Sequence, residues 1–492
     1  MTAHDPKLAR AASRPIGDLA CLVGSDWITT GEWIDVERPA DGTVVGRIPA
    51  CDGRQIEAAV GAARAAFEGT WGRTPAVERG RVLARLAAKV TAAREELAAL
   101  ESLDTGKPLS QGVADATAAA RYYEFYAGAA DKLHGDALPY LEGYTAISLR
   151  EPHGVVAGII PWNYPLQIMA RVVGAGLAAG NAMVIKPAED ASLTALRIAA
   201  MAVEAGLPAG VLNVVTGRGG EAGAALSAHP DIDHVTFTGS PGTGTAIQAA
   251  AAANNVGTTM ELGGKGAQIV FADADLDRAM PFLVNAIIQN GGQTCSAGAR
   301  VLIERTIHDE LAARLAERFG ELAAGPPEEG CDLGPMISAK QADRVRGFVE
   351  RATRDGARVL ARGSIANAAP EAGHYVEPVL FGDVDPASEL AREEVFGPVL
   401  ALFEFEGEAE AIKLANATPY GLVAGIWTRD GSRQHRVAKA LRFGQVYVNN
   451  YGAGGGVELP FGGMKRSGHG REKGFAGLVE MTTIKTVVWS HD

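Results

Sequence analysis

Between residues 154 and 253, short apolar runs and helical stretches alternate with hardly a break. "GVVAGIIPWN" reads as a strand ending in a turn, "LQIMARVVGAGLAAG" as a helix, and "AMVIKPAED" as a strand with a loop. "SLTALRIAAMAVEAG" (helix), "VLNVVTG" (strand), "GEAGAALSA" (helix), "DHVTFTGSPGTG" (strand and turn) and "TGTAIQAAAA" (helix) continue the pattern. Short apolar strands separated by helices build βαβ units, and hence a parallel sheet. Such sheets bind ligands outside the carboxyl ends of their strands. The turns "PWNYP", "KPAED" and "FTGSPGTG" are therefore the places to look for chemistry.

A second α/β region begins near residue 260, with strands "AQIVF", "RVLIE" and "VLALFEF" and long helices "HDELAARLAERFGELAAG" and "AKQADRVRGFVERATRDGA". Upstream, residues 54–68 and 75–100 read as amphipathic helices, with Thr74 as N-cap and Pro75 as first helical residue of the second. "GYTAISLREP" (143–152) reads as an extended arm. "MTTIKTVVW" reads as a lone terminal strand that needs a sheet edge, such as one in a neighbouring subunit.

The net charge of −12 argues against nucleic acid or an anionic membrane as main partner. No apolar run reaches the ~18–20 residues of a membrane-spanning helix. The Ala/Arg-rich start lacks a signal-peptide h-region. It reads as a frayed leader on a cytoplasmic protein, with Asp5 and Asp18 interrupting any organellar transit pattern. The four cysteines show no CxxC spacing and the histidines no HExxH, so no metal site is expected and a reducing compartment is.

"GAGLAAG" (174–180) nearly matches the dinucleotide fingerprint, but it precedes a strand where the fingerprint must follow one. Close helix–sheet packing is the better reading. "FTGSPGTG" does follow a strand, and Gly239, Ser240 and Gly244 could bring a helix N-terminus close to phosphate. A plain tight turn is the alternative. Lys186 and Glu189 in "VIKPAED" stand where a lysine and a carboxylate can hold a ribose, or else form a solvated loop. Carboxylate-to-ribose contact would favour NAD, because a 2′-phosphate is repelled. Glu261, in the apolar setting of "TMELGGKG", is either a general base of raised pKa or a paired structural glutamate. Cys295, in the polar, glycine-bordered "QNGGQTCSAGARV", is a candidate nucleophile rather than a small core residue. Asn163 in "PWNYP" could donate to an oxyanion or make an Asx turn.

Taken in order, "PWNYP", "VIKPAE", "FTGS", "MELGGK", "GQTCSAGAR", "EEVFGP" and "PFGGMKRSGHGRE" closely resemble the NAD(P)-dependent aldehyde dehydrogenase superfamily over nearly the whole chain, in its non-acylating, betaine-aldehyde- and succinate-semialdehyde-dehydrogenase-like branch. The resemblance implies an α/β fold: two Rossmann-like, doubly wound parallel-sheet domains and a small β oligomerisation arm. Residues 1–130 and 151–260 would bind NAD (NADP being possible), 261–470 would form the catalytic domain, and 131–150 with 471–492 the arm of a dimer or tetramer. It implies Cys295 as nucleophile and Glu261 as general base. The oxyanion hole would be formed by the Asn163 side chain and the Cys295 N–H. Lys186 and Glu189 would hold the adenosine ribose, Trp162 and Ser240 would approach the pyrophosphate, and Glu394 and Phe396 would place the nicotinamide. Ile160, Pro161, Gly239, Gly244 and Leu262 would complete the cofactor wall, and Tyr164, Arg171, Gln289 and Glu458 would face the substrate. The reaction implied is oxidation of an aldehyde to its acid through a thiohemiacetal and a thioester on Cys295.

The substrate is where the resemblance thins. Arg171 stands where many relatives carry tryptophan; it is wrong for a cation and right for a carboxylate. Succinate-semialdehyde dehydrogenases share that arginine but add a second one, where this chain has Gln289. Alternatively, Arg171 pairs with a local carboxylate such as Glu458. Val172 replaces a frequent lysine, which puts any proton relay through it in doubt. The glycines of "NNYGAGGGVELPFGG" (449–463) suggest a roomier pocket mouth, suited to an aromatic or longer aldehyde. The expected substrate is thus an acidic semialdehyde or an aromatic aldehyde, against a betaine-type or broad-specificity alkanal enzyme. A CoA-acylating relative would be expected to lack Glu261, and a thiol hydrolase would need a histidine near a motif. A non-catalytic binding protein would have no use for Cys295, Glu261 and Asn163 together.

Overall fold

A computed structural model describes residues 16–452 and 456–491. Over residues 1–15 the expected frayed leader lies outside the described residues, as do residues 453–455 of the pocket-mouth loop; over 16–24 the leader reading fails, because Gly17–Asp18 and Cys21–Val23 are strands paired into sheets.

The alternating region forms the middle of an eight-stranded sheet. Its parallel strands run in the spatial order Gly257–Glu261, His234–Thr238, Val155–Ile160, Ala182–Pro187, Leu212–Val214. The chain therefore starts in the middle, builds outward in one direction, and returns to build in the other. The reversal falls between Val155–Ile160 and His234–Thr238. A crevice opens at such a switch point because the two following connections leave on opposite faces. Antiparallel strands Cys21–Val23 and Gly468–His469 extend the two ends. Apolar side chains bury both faces, as a sheet covered by helices on each side requires.

The second sheet has seven strands, with Ala267–Val270 and Arg300–Glu304 at its centre and a single antiparallel strand, Arg358–Arg362, at one edge. It has its own two-sided core. A third sheet pairs Thr482–Ser490 with Tyr144–Pro152 and Ala137–Leu138. The terminal strand is thus not alone: its edge is the extended arm of its own chain, antiparallel along its full length.

The helix expected over 75–100 is broken. It runs Ala76–Ala92, yields at Ala93 (φ −96°, ψ 17°), and resumes as Arg94–Thr105. Pro75 caps the first of these rather than starting it. A long helix, Leu109–Ala129, was not legible in the sequence; its Ala-rich pattern is only weakly amphipathic because partners bury Tyr122, Tyr123 and Tyr126. "GEAGAALSA" forms an irregular turn at Gly219–Gly223 and a helix only over Ala224–Ser227. The near-fingerprint "GAGLAAG" ends the helix Pro165–Ala179. A Cβ on Gly176 would fall 2.3 Å from the Met183 sulfur, so close packing is what these small residues serve. No described helix is long and apolar enough to cross a membrane.

Candidate active site

The strand Val155–Ile160 ends at the switch point and delivers Pro161, Trp162 and Asn163 into the crevice. Asn163 is buried, and its Nδ2 donates to the Gln293 carbonyl at 2.9 Å, tying the first sheet to the loop that carries Cys295. The Asn163 carbonyl accepts from Asn290 Nδ2 at 2.9 Å and from Lys107 Nζ at 3.0 Å. Lys107 is fully buried between Glu101 (2.9 Å) and Asp115 (2.5 Å). Burial opposes its charge, but the two carboxylates outweigh burial and hold it above the usual lysine range. This buried cluster fixes the Asn163 turn.

Helix Leu276–Ile288 is followed by three successive residues in the left-handed region: Asn290 (φ 51°), Gly291 (62°) and Gly292 (73°). A Cβ on Gly292 would lie 2.3 Å from the Gly397 backbone, so no side chain fits there. The loop is then pinned at Gln293, whose Oε1 accepts from Ile337 N (2.9 Å). It is pinned again by Tyr164 at Thr294 Oγ1 (2.9 Å) and by Tyr451, which donates to the Ser296 carbonyl (2.9 Å). Cys295 sits between these anchors. Burial pushes its thiol up to about 12; Arg171 opposes the shift, while Glu394 and Glu261 reinforce it.

Glu261 ends the strand Gly257–Glu261, is 2% exposed, and neither of its oxygens has a hydrogen-bond partner. Burial, then the nearby Glu472, lifts its pKa well above the carboxylate range against the pull of Arg171 and Arg471. An unengaged buried carboxyl is costly to keep, and such groups concentrate at functional sites.

Two cavities meet here. The larger, about 340 Å³, is walled by Pro161, Trp162, Ser240, Glu261, Glu394 and Phe396. Trp162 and Phe396 are edge-to-face with centroids 5.4 Å apart. Phe396 holds a left-handed backbone (φ 61°), and its carbonyl accepts from Gln341 Nε2 at 2.7 Å. Glu394 accepts from Gly264 N at 2.7 Å, and burial raises it to about 7. Gly239 also lines this cavity, and Ser240 caps the helix Pro241–Ala252. Gly244 lies directly against Leu262, which lets that helix approach the sheet. Ile160 is buried at its strand end. At the neighbouring strand end, Lys186 Nζ meets Glu189 at 2.7 Å, and Gly219 N donates to the other Glu189 oxygen at 3.0 Å.

The smaller cavity, about 150 Å³, has Tyr164, Arg171, Gln289, Phe461 and Lys473 among its walls. Cys295 and Asn163 belong to both cavities. Arg171 does not pair with Glu458. That carboxylate is exposed and held by Arg121 at 2.6 Å. Arg171 is instead ion-paired with buried Glu472, the two meeting as charges rather than through an aligned hydrogen bond. Glu472 in turn accepts from Thr236 Oγ1 at 3.2 Å. Val172 is buried among apolar side chains. Lys107, Glu472 and Lys473 were not singled out from sequence; only the place of Glu472 at the end of "GHGRE", with Lys473 next to it, could have drawn attention to the latter two.

The model of the aldehyde dehydrogenase family matches residues 27–487. The chain belongs to the aldehyde dehydrogenase family. It is 44% identical to a betaine aldehyde dehydrogenase of Sinorhizobium fredii, over 93% of this chain and 94% of that protein. It is also 44% identical to the NADP/NAD-dependent aldehyde dehydrogenase PuuC of Escherichia coli, over 88% and 87%. The NAD+ complex of aldehyde dehydrogenase from Bacillus cereus superimposes with a TM-score of 0.95 at 38% identity, covering 99% of each chain.

Proposed function

We propose that this family member oxidises an aldehyde to the carboxylic acid with NAD as acceptor, through a thioester on Cys295. The observation that carries the reading is the shared wall: one thiol and one side-chain amide belong to both cavities. A thiol so placed can hold a substrate carbon within reach of a second bound molecule.

Several features of the larger cavity fit a dinucleotide. A helix N-terminus capped by Ser240 favours phosphate. Side chains are excluded at Gly239, where a Cβ would meet the Phe237 ring at 2.4 Å, and at Gly263, where it would meet the Glu394 carboxylate at 2.4 Å. Trp162 and Phe396 offer ring faces, and Lys186 with Glu189 offers a fixed ribose partner. When bound, the nicotinamide supplies the two-electron acceptor that turns the tetrahedral adduct into a thioester.

The chain's own residues do the rest. Loss of the Cys295 proton, which burial resists, lets sulfur bond the aldehyde carbon. The charge then moves to the carbonyl oxygen, where Asn163 Nδ2 and the Cys295 N–H can stabilise it. Glu261, with no hydrogen bond to surrender, takes a proton from the water that attacks the thioester, and the acid leaves as sulfur is released.

Around this centre, we assign residues 1–130 and 151–260 to cofactor binding, 261–470 to catalysis, and 131–150 with 471–492 to oligomerisation. One face of the arm sheet exposes Ile484 (57%) and Val488 (48%), apolar side chains suited to a contact in a dimer or tetramer. A cytoplasmic location fits a chain of this length with only four cysteines and no CxxC spacing. The test is NADH formation from an aldehyde by wild type and by Cys295→Ala. The substitution should abolish turnover by about 10⁴-fold or more, and surviving oxidation would refute the assignment.

A further inference from the structure

Arg171 and Lys473 both lie over the ring of Phe461 in the smaller cavity, 5.3 and 5.7 Å from its centroid. Among the described residues, no acidic side chain lines this cavity; the rest of its wall is tyrosine, amide, hydroxyl, thiol and apolar groups. Arg171 is held by Glu472, which does not line the cavity, so its charge is compensated from behind. Lys473 is the next residue along the chain from that carboxylate. Its backbone (φ 63°, ψ 163°) lies in a region that L residues rarely occupy and that only glycine enters freely. A non-glycine residue kept in that conformation, with its side chain on a cavity wall, invites a functional reading. It is 7% exposed, so a charge meeting it would be poorly screened by water. Burial, then Arg171 alongside, lowers its pKa to about 8 against the pull of Glu458 and Glu472, which leaves it mostly protonated at neutral pH.

We infer that Lys473 is a specificity-determining residue: it binds a carboxylate carried by a short-chain aldehyde whose carbonyl reaches Cys295, while Arg171 serves to neutralise Glu472. The inference rests on the reading that an aldehyde enters this cavity. At about 150 Å³ the space is below the range of drug-sized ligand pockets, which suits a short chain. A quaternary ammonium would meet two cations and no acid in this wall, so a betaine-type substrate is disfavoured. A charge-assisted hydrogen bond in such a setting is typically worth one to two orders of magnitude in binding.

The experiment compares 4-oxobutanoate with butanal, matched in length, as substrates of the full chain with NAD. Wild type should prefer the acid by at least about tenfold in kcat/KM. Lys473→Met should lower that preference by about thirtyfold, mainly through KM for the acid, and Lys473→Arg should restore most of it. Succinate should inhibit wild-type oxidation of butanal far more tightly than butanamide does, a measurement that needs no variant. A wild type that favours butanal, a Lys473→Met preference within threefold of wild type, or equal inhibition by succinate and butanamide would each overturn the inference while leaving aldehyde oxidation standing. Oxidation of neither aldehyde, nor of a panel of other aldehydes, would bring down the proposed function itself.

Discussion

The two cavities that meet at Cys295 are built in opposite ways. The larger is made mostly by turns that leave strand ends: Pro161 and Trp162 after one strand, Gly239 and Ser240 after its neighbour, Glu261 at the tip of the next. Sheet topology places them, and main-chain geometry does much of the work. The smaller is assembled from side chains on separate elements: Arg171 on a helix, Gln289 at a helix end, Phe461 and Lys473 near the C-terminus. There, buried charge pairing rather than backbone sets the arrangement. Substitutions on the substrate side should therefore act through packing and charge balance, whereas those on the cofactor side should act locally.

The largest effect is expected where the charge balance is broken. Glu472→Gln leaves Arg171 charged and buried opposite a neutral amide, which should cost about 3–5 kcal/mol of stability. Thermal unfolding would measure the loss, and NAD affinity should change much less than the melting temperature. A variant as stable as wild type would mean that the pair does not organise this wall. Next comes the shared amide. Asn163→Ala should reduce kcat by about 10²–10³-fold, the usual result of removing one oxyanion donor. Stopped-flow turnover at saturating NAD would read this, and a change confined to KM would move Asn163 from chemistry to binding. The smallest effect belongs to the cofactor side. Glu189→Gln should raise KM for NAD by about tenfold and improve the use of NADP, by removing a charge that repels a 2′-phosphate. Steady-state kinetics with both cofactors would show it, and an unchanged ratio would break the ribose assignment.

This contrast also explains what the sequence could and could not reveal. Alternating strands and helices announced the parallel sheet, and the turns after them carried contiguous motifs, so the walls of the larger cavity were legible. Arg171 was legible as a residue, but its partner was not. Glu458 was nominated from the chain, yet Arg121 claims it, and Glu472 reaches Arg171 only because the C-terminal strand Gly468–His469 joins the edge of the first sheet. Lys107 was invisible for the same reason: its role follows from a buried cluster with Glu101 and Asp115, and no local pattern encodes it. The helix Leu109–Ala129, which carries Asp115, was missed because burial on several sides erases the amphipathic stripe.

In the proposed mechanism Cys295 carries the acyl group and Glu261 releases it. Burial keeps Glu261 protonated well above the ordinary carboxylate range, so wild-type deacylation should quicken as pH rises and the base form appears. Glu261→Gln removes that base. Mixed with NAD and an aldehyde, it should release about one NADH per subunit in a burst, then stall. Mass spectrometry of the quenched protein should find the acyl mass on the peptide containing Cys295. Steady turnover without a burst, or an acyl group on any other residue, would contradict these roles for Cys295 and Glu261.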